Sequence, residues 1–294
     1  MKKIVVGSRE SRLAVVQSMS LIDHLRATGC EVELLTMKTT GDKILDRTLD
    51  KVGGKGLFVR ELDAALLEGR ADLAVHCVKD LPMELAPGTA ILGYSRREDA
   101  RDALVLPPGA DRIPKGGVIG TSSLRRALQL KKLFPECEIR PVRGNLITRL
   151  DKLDAREYDA LVLAVAGLNR LGLDSRISYK FETDEIIPAA GQGILAVVGR
   201  VGAEHPDISG YMDQNAAACA ECERAFVREL DGGCTSPVCA NATVNNGRLF
   251  VRALYWNPET GETRIGADSG PAEEAVAIGV RLAQKLRDEK EAQA

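Results

Sequence analysis

Two α/β lobes followed by a small α+β domain is the fold class this sequence predicts, and three observations carry it. The length of 294 residues exceeds what one core usually fills, because single cores stop growing at about 250 to 300 residues and chains split into domains earlier. Through the first two thirds of the chain, short apolar runs alternate with amphipathic stretches of helical period, the pattern of doubly wound sheets. From Ala216 the pattern changes to a helix, a loop, three strands and a last helix, which predicts a three-stranded antiparallel sheet.

Lys3 to Gly7 (KIVVG) reads as a first strand, Ser8 to Ser11 as a polar turn, Arg12 to Thr28 as an amphipathic helix and Val32 to Met37 as a second strand. Thr39 to Gly56, TTGDKILDRTLDKVGGKG, carries four glycines and little periodicity, the composition of a lid or a disordered connection. Leu57 to Glu68 reads as a helix ended by Gly69. Ala71 to Pro82, ADLAVHCVKDLP, is apolar on both faces, as expected of a parallel strand covered by helices on each side. Lys79 and Asp80 come where that strand stops and Pro82 prevents it continuing. A carboxylate therefore sits at the carboxyl end of a sheet strand, where open α/β sheets place their ligands.

From about Asp102 the pattern restarts with strands at Ala103 to Leu106 and Val118 to Gly120 and a helix at Leu124 to Phe134. A strand at Glu138 to Val142, a helix at Leu146 to Ala155 and a strand at Ala160 to Val165 follow. Ile194 to Val201 is another apolar strand, after the glycine-rich PAAGQG, and either lobe could take it up. Asn245-Asn246-Gly247 marks a hairpin between Val238 to Val244 and Leu249 to Trp256. Pro271 opens the last helix, which runs out in EKEAQA.

Hydrophobic content of 45% and charged content of 28% are those of an ordinary soluble protein, and a net charge of -2 excludes a surface that coats nucleic acid. No apolar run approaches the roughly 18 residues of a membrane span, so a cytoplasmic chain without membrane or nucleic-acid partners is expected. The seven cysteines, an odd number without framework spacing, read as reduced thiols. Cys219, Cys222, Cys234 and Cys239 could be drawn as a four-thiolate zinc site. The first pair, however, lies inside the helical pattern NAAACAECERAFVREL rather than in a tight turn, and no metal is expected.

Three βα junctions place arginine at or just before a helix amino terminus: Arg9 and Arg12, then Arg125 and Arg126, then Arg143 with Arg149 one turn on. Helix amino termini already carry positive partial charge, so a cation there costs about 0.3 to 1 kcal/mol. A bound anion compensates, held by free N–H groups, hydroxyls and guanidinium forks together. Lys51, Lys55 and Lys79 add charge, and the implied ligand is a polyanion between two lobes. There is no GxxxxGK[ST] after a strand and no GxGxxG opening a helix, so carboxylates fit better than nucleotide phosphates. Asp80 in that arginine field would repel an anion but would serve a reaction in which a cation forms. Cys234, after two glycines in LDGGCTSP, reads as an exposed thiol.

The stretches GSRESRLAVVQ, TTGDKILD, KVGGKGLFVRELDAALLEGRADLAVHCVKDLP, RREDARDALV, GTSSLRRALQL, RGNLITRLDKLD, YDALVLAVAGLNRLGL, PAAGQG and LDGGCTSP together resemble the porphobilinogen deaminase family over essentially the whole chain. The resemblance implies two periplasmic-binding-protein-like lobes, 1–97 with 194–211 and 98–193, and a third domain, 212–294. It implies a transferase that condenses four porphobilinogen molecules, each losing ammonia, onto a dipyrromethane cofactor joined to Cys234 by a thioether, after which water releases the linear tetrapyrrole. Asp80 is then the catalytic acid and stabiliser of the azafulvenium cation. Lys79, Asp80, Thr121, Ser122, Ser123, Arg125, Arg126, Arg143 and Gly144 hold the cofactor. Arg9, Ser11, Gln17, Arg149, Arg170 and Gln192 hold substrate, Lys51, Lys55 and Phe58 belong to the lid, and the enzyme is a monomer. Two departures stand out: Cys77 where the family commonly has Ser, and Arg60 where Lys is frequent. A bilobal carboxylate-binding protein without chemistry is the alternative; it explains the arginines but leaves Asp80 and Cys234 without a use.

Overall fold

The computed structural model describes residues 3–43, 59–230 and 236–288. Its first sheet has the order β2-β1-β3-β10-β4. β1 (Ile4–Arg9) runs parallel to β2 (Val32–Met37) and to β3 (Leu73–Cys77). β10 (Leu195–Arg200) comes back from far along the chain and lies antiparallel to β3 and to β4 (Thr89–Tyr94). The expected parallel strand at 71–82 is thus parallel along one edge only. It is also shorter, because Val78–Asp80 turns into a 3-10 helix. Alternation along the strands sorts the core. Helix α1 (Arg12–Ala27) lays Leu21, Ile22 and Leu25 against Val6, Leu73, Val75, Leu195 and Val197. Helix α2 (Arg60–Leu67) buries Leu62, Ala65 and Leu66 on the opposite face with Ala74, Val78 and Ala196.

The second sheet has the order β7-β6-β8-β5-β9. β6 (Val118–Gly120) is parallel to β7 (Glu138–Arg140) and β8 (Ala160–Ala164), while β5 (Asp102–Val105) is antiparallel to β8 and to β9 (Tyr179–Lys180). Helices α3 (Leu124–Leu133), α4 (Leu146–Asp154) and α5 (Val165–Arg170) belong to this lobe. Two chain crossings join the lobes and touch, with the Glu98 N–H donating to the Gly193 carbonyl at 3.1 Å. Gly193 has φ of +88°, and a Cβ there would lie 2.3 Å from the Glu98 carbonyl oxygen, so this approach requires glycine.

In the third domain β11 (Cys239–Asn245), β12 (Arg248–Trp256) and β13 (Thr263–Pro271) form an antiparallel meander. The expected hairpin turn is present: Asn246 and Gly247 both have positive φ, the conformation of a type I′ turn. Helices α6 (Gln214–Glu229) and α7 (Ala275–Asp288) pack on one face of this sheet, with Phe226, Ile278 and Leu282 against Leu249 and Val251. On the other face Cys239 and Leu254 meet Ile187 of the second lobe. The domain is fastened to the crossings through Glu223. Its fully buried carboxylate accepts from Arg97 at 2.8 and 2.7 Å, from the Gly191 N–H at 2.6 Å and from the Ala242 N–H at 2.6 Å.

Candidate active site

Where β1 and β3 end side by side and α1 begins, Arg9, Ser11, Gln17, His76, Cys77 and Asp80 line a cleft. The turn that presents Asp80 is built by the backbone. The Val78 N–H donates to the Ile194 carbonyl at 3.0 Å, and the Leu81 N–H closes back on the Val78 carbonyl at 3.2 Å. Gly191, in PAAGQG, packs behind this turn with φ of +73°, and a Cβ there would come within 2.2 Å of the Val78 side chain. Asp80 is exposed, while Lys79 is half-buried and donates to Oε1 of Gln192 at 3.3 Å. Burial lowers the pKa of the Lys79 amine, and the neighbouring Asp80 opposes that shift.

Ser11 is the N-cap of α1 and accepts the Ala14 N–H at 3.4 Å. Ser123 caps α3 in the same way through the Arg126 N–H, also at 3.4 Å. A cap uses a lone pair and leaves the hydroxyl proton, so both serines can still donate to a carboxylate. Thr121 is buried and its hydroxyl oxygen accepts the Ser123 N–H at 3.2 Å. The Gln17 amide donates to Cys77 Sγ at 3.1 Å. Burial and then Asp80 push the Cys77 thiol upward, so it stands in the cleft protonated.

The second lobe contributes cations. Arg149 donates from Nε to the Gly144 carbonyl at 2.8 Å, and Gly144 has φ of +111°. Burial, followed by the repulsion of Arg126 and Arg143, lowers the Arg149 guanidinium to about 10, with Asp80 as the opposing charge. Arg170, at the end of α5, donates to the Gly193 carbonyl at 2.6 Å beside the crossing. Asp80 of the first lobe and Arg126, Arg143 and Arg149 of the second therefore form one electrostatic cluster.

Three expectations change. Arg125 and Arg126 are not compensated solely by a ligand: both are buried and share Asp102, at 2.7 Å from Arg125 and 2.6 Å from Arg126. Burial alone would raise the Asp102 carboxyl, but the two guanidiniums outweigh it and hold it well below the ordinary carboxylate range. The hydroxyl of Ser122 donates to the Val142 carbonyl at 2.6 Å and accepts the Val142 N–H at 3.1 Å, leaving no proton for a cofactor. Gln192 is 1% exposed, with its amide donating to the Ala100 carbonyl at 2.7 Å and to Asp102 at 2.9 Å, so it ties Lys79 to Asp102. Cys234 and the lid residues Lys51, Lys55 and Phe58 lie outside the described residues.

Asp102 and His76 escaped the sequence reading. A lone Asp opening the apolar run DALVL, twenty-odd residues before an Arg-Arg pair, was the available signal for the first. His76 carried none, since it sits in the apolar alternation of β3. Cys219 and Cys222 are buried on α6, and burial with Glu223 pushes Cys219 up to about 12. Cys239 faces the second lobe, away from both.

Family models match the chain along two stretches: residues 4–206 as the porphobilinogen deaminase dipyromethane cofactor binding domain, and residues 217–288 as the porphobilinogen deaminase C-terminal domain. The chain belongs to the porphobilinogen deaminase family. A porphobilinogen deaminase of Ruminiclostridium josui is 49% identical over 292 residues, covering 99% of each chain. One from Chromobacterium violaceum is 46% identical over 296 residues, covering 98% of this chain and 95% of that one. The aliphatic sulphonate binding protein SsuA of Escherichia coli aligns with a TM-score of 0.43 at 11% identity over 79% of this chain and 71% of that one. So loose an alignment adds nothing to the strand order itself. As a porphobilinogen deaminase the chain is a transferase of tetrapyrrole biosynthesis, with a dipyrromethane cofactor and porphobilinogen as its substrate. The reading as a non-catalytic binding protein is not favoured. No helix among the described residues is long and apolar enough to cross a membrane.

Proposed function

We propose that Asp80 is the acid of the condensation, and that the cations around it hold the acetate and propionate groups of cofactor and substrate. The supporting observation is the cluster itself: an exposed carboxylate at a strand-end turn, facing arginines crowded closely enough to lower Arg149. The same crowding suits a dipyrromethane, because carboxylates placed among Arg143, Arg149 and Arg126 relieve it. The dipyrromethane, attached to Cys234, supplies the anchored pyrrole end on which the product grows.

Arg9, Arg143, Arg149, Arg170 and Lys79 fix the carboxylates of the ligands, aided by the Ser11 and Ser123 hydroxyls. Asp80 gives its proton to the substrate's aminomethyl nitrogen. The carbon–nitrogen bond then breaks, ammonia leaves with the electron pair, and the Asp80 carboxylate faces the cation left on the methylene carbon. One group serves both steps because donating the proton creates the negative charge the cation needs. The division into 1–97 with 194–211, 98–193 and 212–294, a monomeric state, a cytoplasmic location and the lack of a nucleic-acid partner belong to the same proposal, the last on the net charge of -2. The test is intact mass of denatured wild-type protein and of Cys234→Ala. Wild type should carry the mass of two condensed substrate units and the variant none; an adduct retained on the variant, for instance at Cys77, overturns the assignment.

A further inference from the structure

Asp80 stands on a turn whose far side is held by another domain. Leu81, 1% exposed, anchors the turn inward among the first-lobe core residues. The next two carbonyls belong to Pro82 and Met83, and both are taken by Arg224 of α6: its Nη2 donates to Pro82 at 2.8 Å and to Met83 at 3.1 Å. Arg224 is 4% exposed, so these charge-assisted bonds are shielded from water. Arg228, one turn further, reaches the Met83 carbonyl at 3.5 Å. The residue before Arg224 is Glu223, which holds the lobe crossings through Arg97 and Gly191. One turn of one helix thus grips both the hinge and the loop that leaves the candidate acid. The same helix runs at its carboxyl end into the segment that contains Cys234.

We propose that Arg224 is a positioning residue for Asp80, registering the carboxylate's turn against the domain that carries the cofactor attachment. The need follows from the chemistry. A carboxylate that must first protonate the departing amine and then face the cation has to keep its distance from the anchored end of the chain, and a displacement of about 1 Å at such a site costs on the order of 100-fold. A turn held by the first lobe alone would move with that lobe; Arg224 makes it move with α6. This inference rests on the reading of Asp80 as the acid.

The experiment is a double-mutant cycle on single-turnover ammonia release, with wild type, Arg224→Gln, Asp80→Glu and the double variant each reconstituted with preformed tetrapyrrole and checked by intact mass. Arg224→Gln should fold, carry the full adduct and lose on the order of 10- to 100-fold in release rate with KM little changed. Arg224→Lys should recover part of the rate, since an ammonium still donates to a carbonyl. The Gln penalty should shrink in the Asp80→Glu background, where the carboxylate is already displaced. An equal penalty in both backgrounds, or a normal rate with only a lowered melting temperature, overturns the positioning role. If Arg224→Gln does not fold, Arg224→Lys goes through the same cycle with the same criteria. Asp80→Glu releasing ammonia at the wild-type rate would show that the carboxylate's distance is not critical and overturn the positioning role alone, whereas Asp80→Asn releasing at that rate would sink the reading of Asp80 as the acid and the positioning role with it.

Discussion

Two arginine pairs enter the second lobe at the same kind of βα junction and end in opposite electrostatic situations. Arg125 and Arg126, behind the Ser123 cap, are buried and share the fully buried Asp102, with further bonds to the carbonyls of Ile187 at 2.9 Å and Val162 at 3.0 Å. Arg143 and Arg149, at the start of α4, repel each other and Arg126. Cations at a helix amino terminus do call for an anion, but the anion can be part of the protein. Arg125 and Arg126 share a carboxylate inside the fold and so contribute to structure, whereas Arg143 and Arg149 crowd each other, a crowding that a ligand carboxylate would relieve.

The largest expected effect tests the buried side of that contrast. Arg126→Leu should destabilise by about 3 to 5 kcal/mol, because it leaves Asp102 buried with half its compensation. Arg149→Leu should change stability by less than about 1 kcal/mol, because the lost bond to the Gly144 carbonyl is offset by relief of the repulsion from Arg126 and Arg143, while abolishing turnover. Urea unfolding of both variants decides, and equal losses would erase the distinction.

A somewhat smaller effect is expected from pH. His76 is 6% exposed, its Nε2 has no hydrogen-bond partner among the described residues, and burial followed by Arg9 lowers it to about 4. Between pH 6.5 and 4 the unfolded chain takes up a proton there that the folded chain refuses. Stability contributed by neutral His76 is thus present above the unfolded pKa and falls as the pH drops through that window, by about 3 kcal/mol in all. His76→Phe should flatten the slope of unfolding free energy against pH in that range, and an unchanged slope would show that the folded protein accommodates the charge. Asp102 adds little there, since its contribution starts to fall only as the pH drops below the unfolded carboxyl value of about 4 and goes on falling into stronger acid.

The smallest effect sharpens the comparison at the shared cap. Ser123→Ala should cost about 1 kcal/mol in thermal unfolding through the lost α3 cap. A cost near zero would mean that the Arg–Asp102 lock holds the helix start unaided.

Much of this was legible in the sequence, for identifiable reasons. β6, α3, α4 and the 245–247 hairpin follow from local pattern, and Asp80 stood out because Pro82 ends its strand. β4, TAILGY, is mostly half-buried and shows no two-residue alternation, while α5, VAGLNR, is buried at Val165, Ala166, Gly167 and Leu168 and so shows no amphipathic period. The strand expected at 138–142 stops at Arg140 because Pro141 cannot continue it. The antiparallel insertion of β10 between β3 and β4 is a pairing across more than a hundred residues, beyond the reach of periodicity. Asp102 was missed for the same reason: its partners come together only in the folded lobe.

The most direct measurement is single-turnover ammonia release by Asp80→Asn reconstituted with preformed tetrapyrrole, so that a failure to build the cofactor is not mistaken for a failure of chemistry. Asn keeps shape and hydrogen bonding but has neither proton to give nor charge to set against the cation. Release should therefore fall by on the order of 100- to 10,000-fold, the range for loss of a positioned acid. Release by that variant at close to the wild-type rate, with the adduct present by intact mass, would contradict the assignment of Asp80 as the acid.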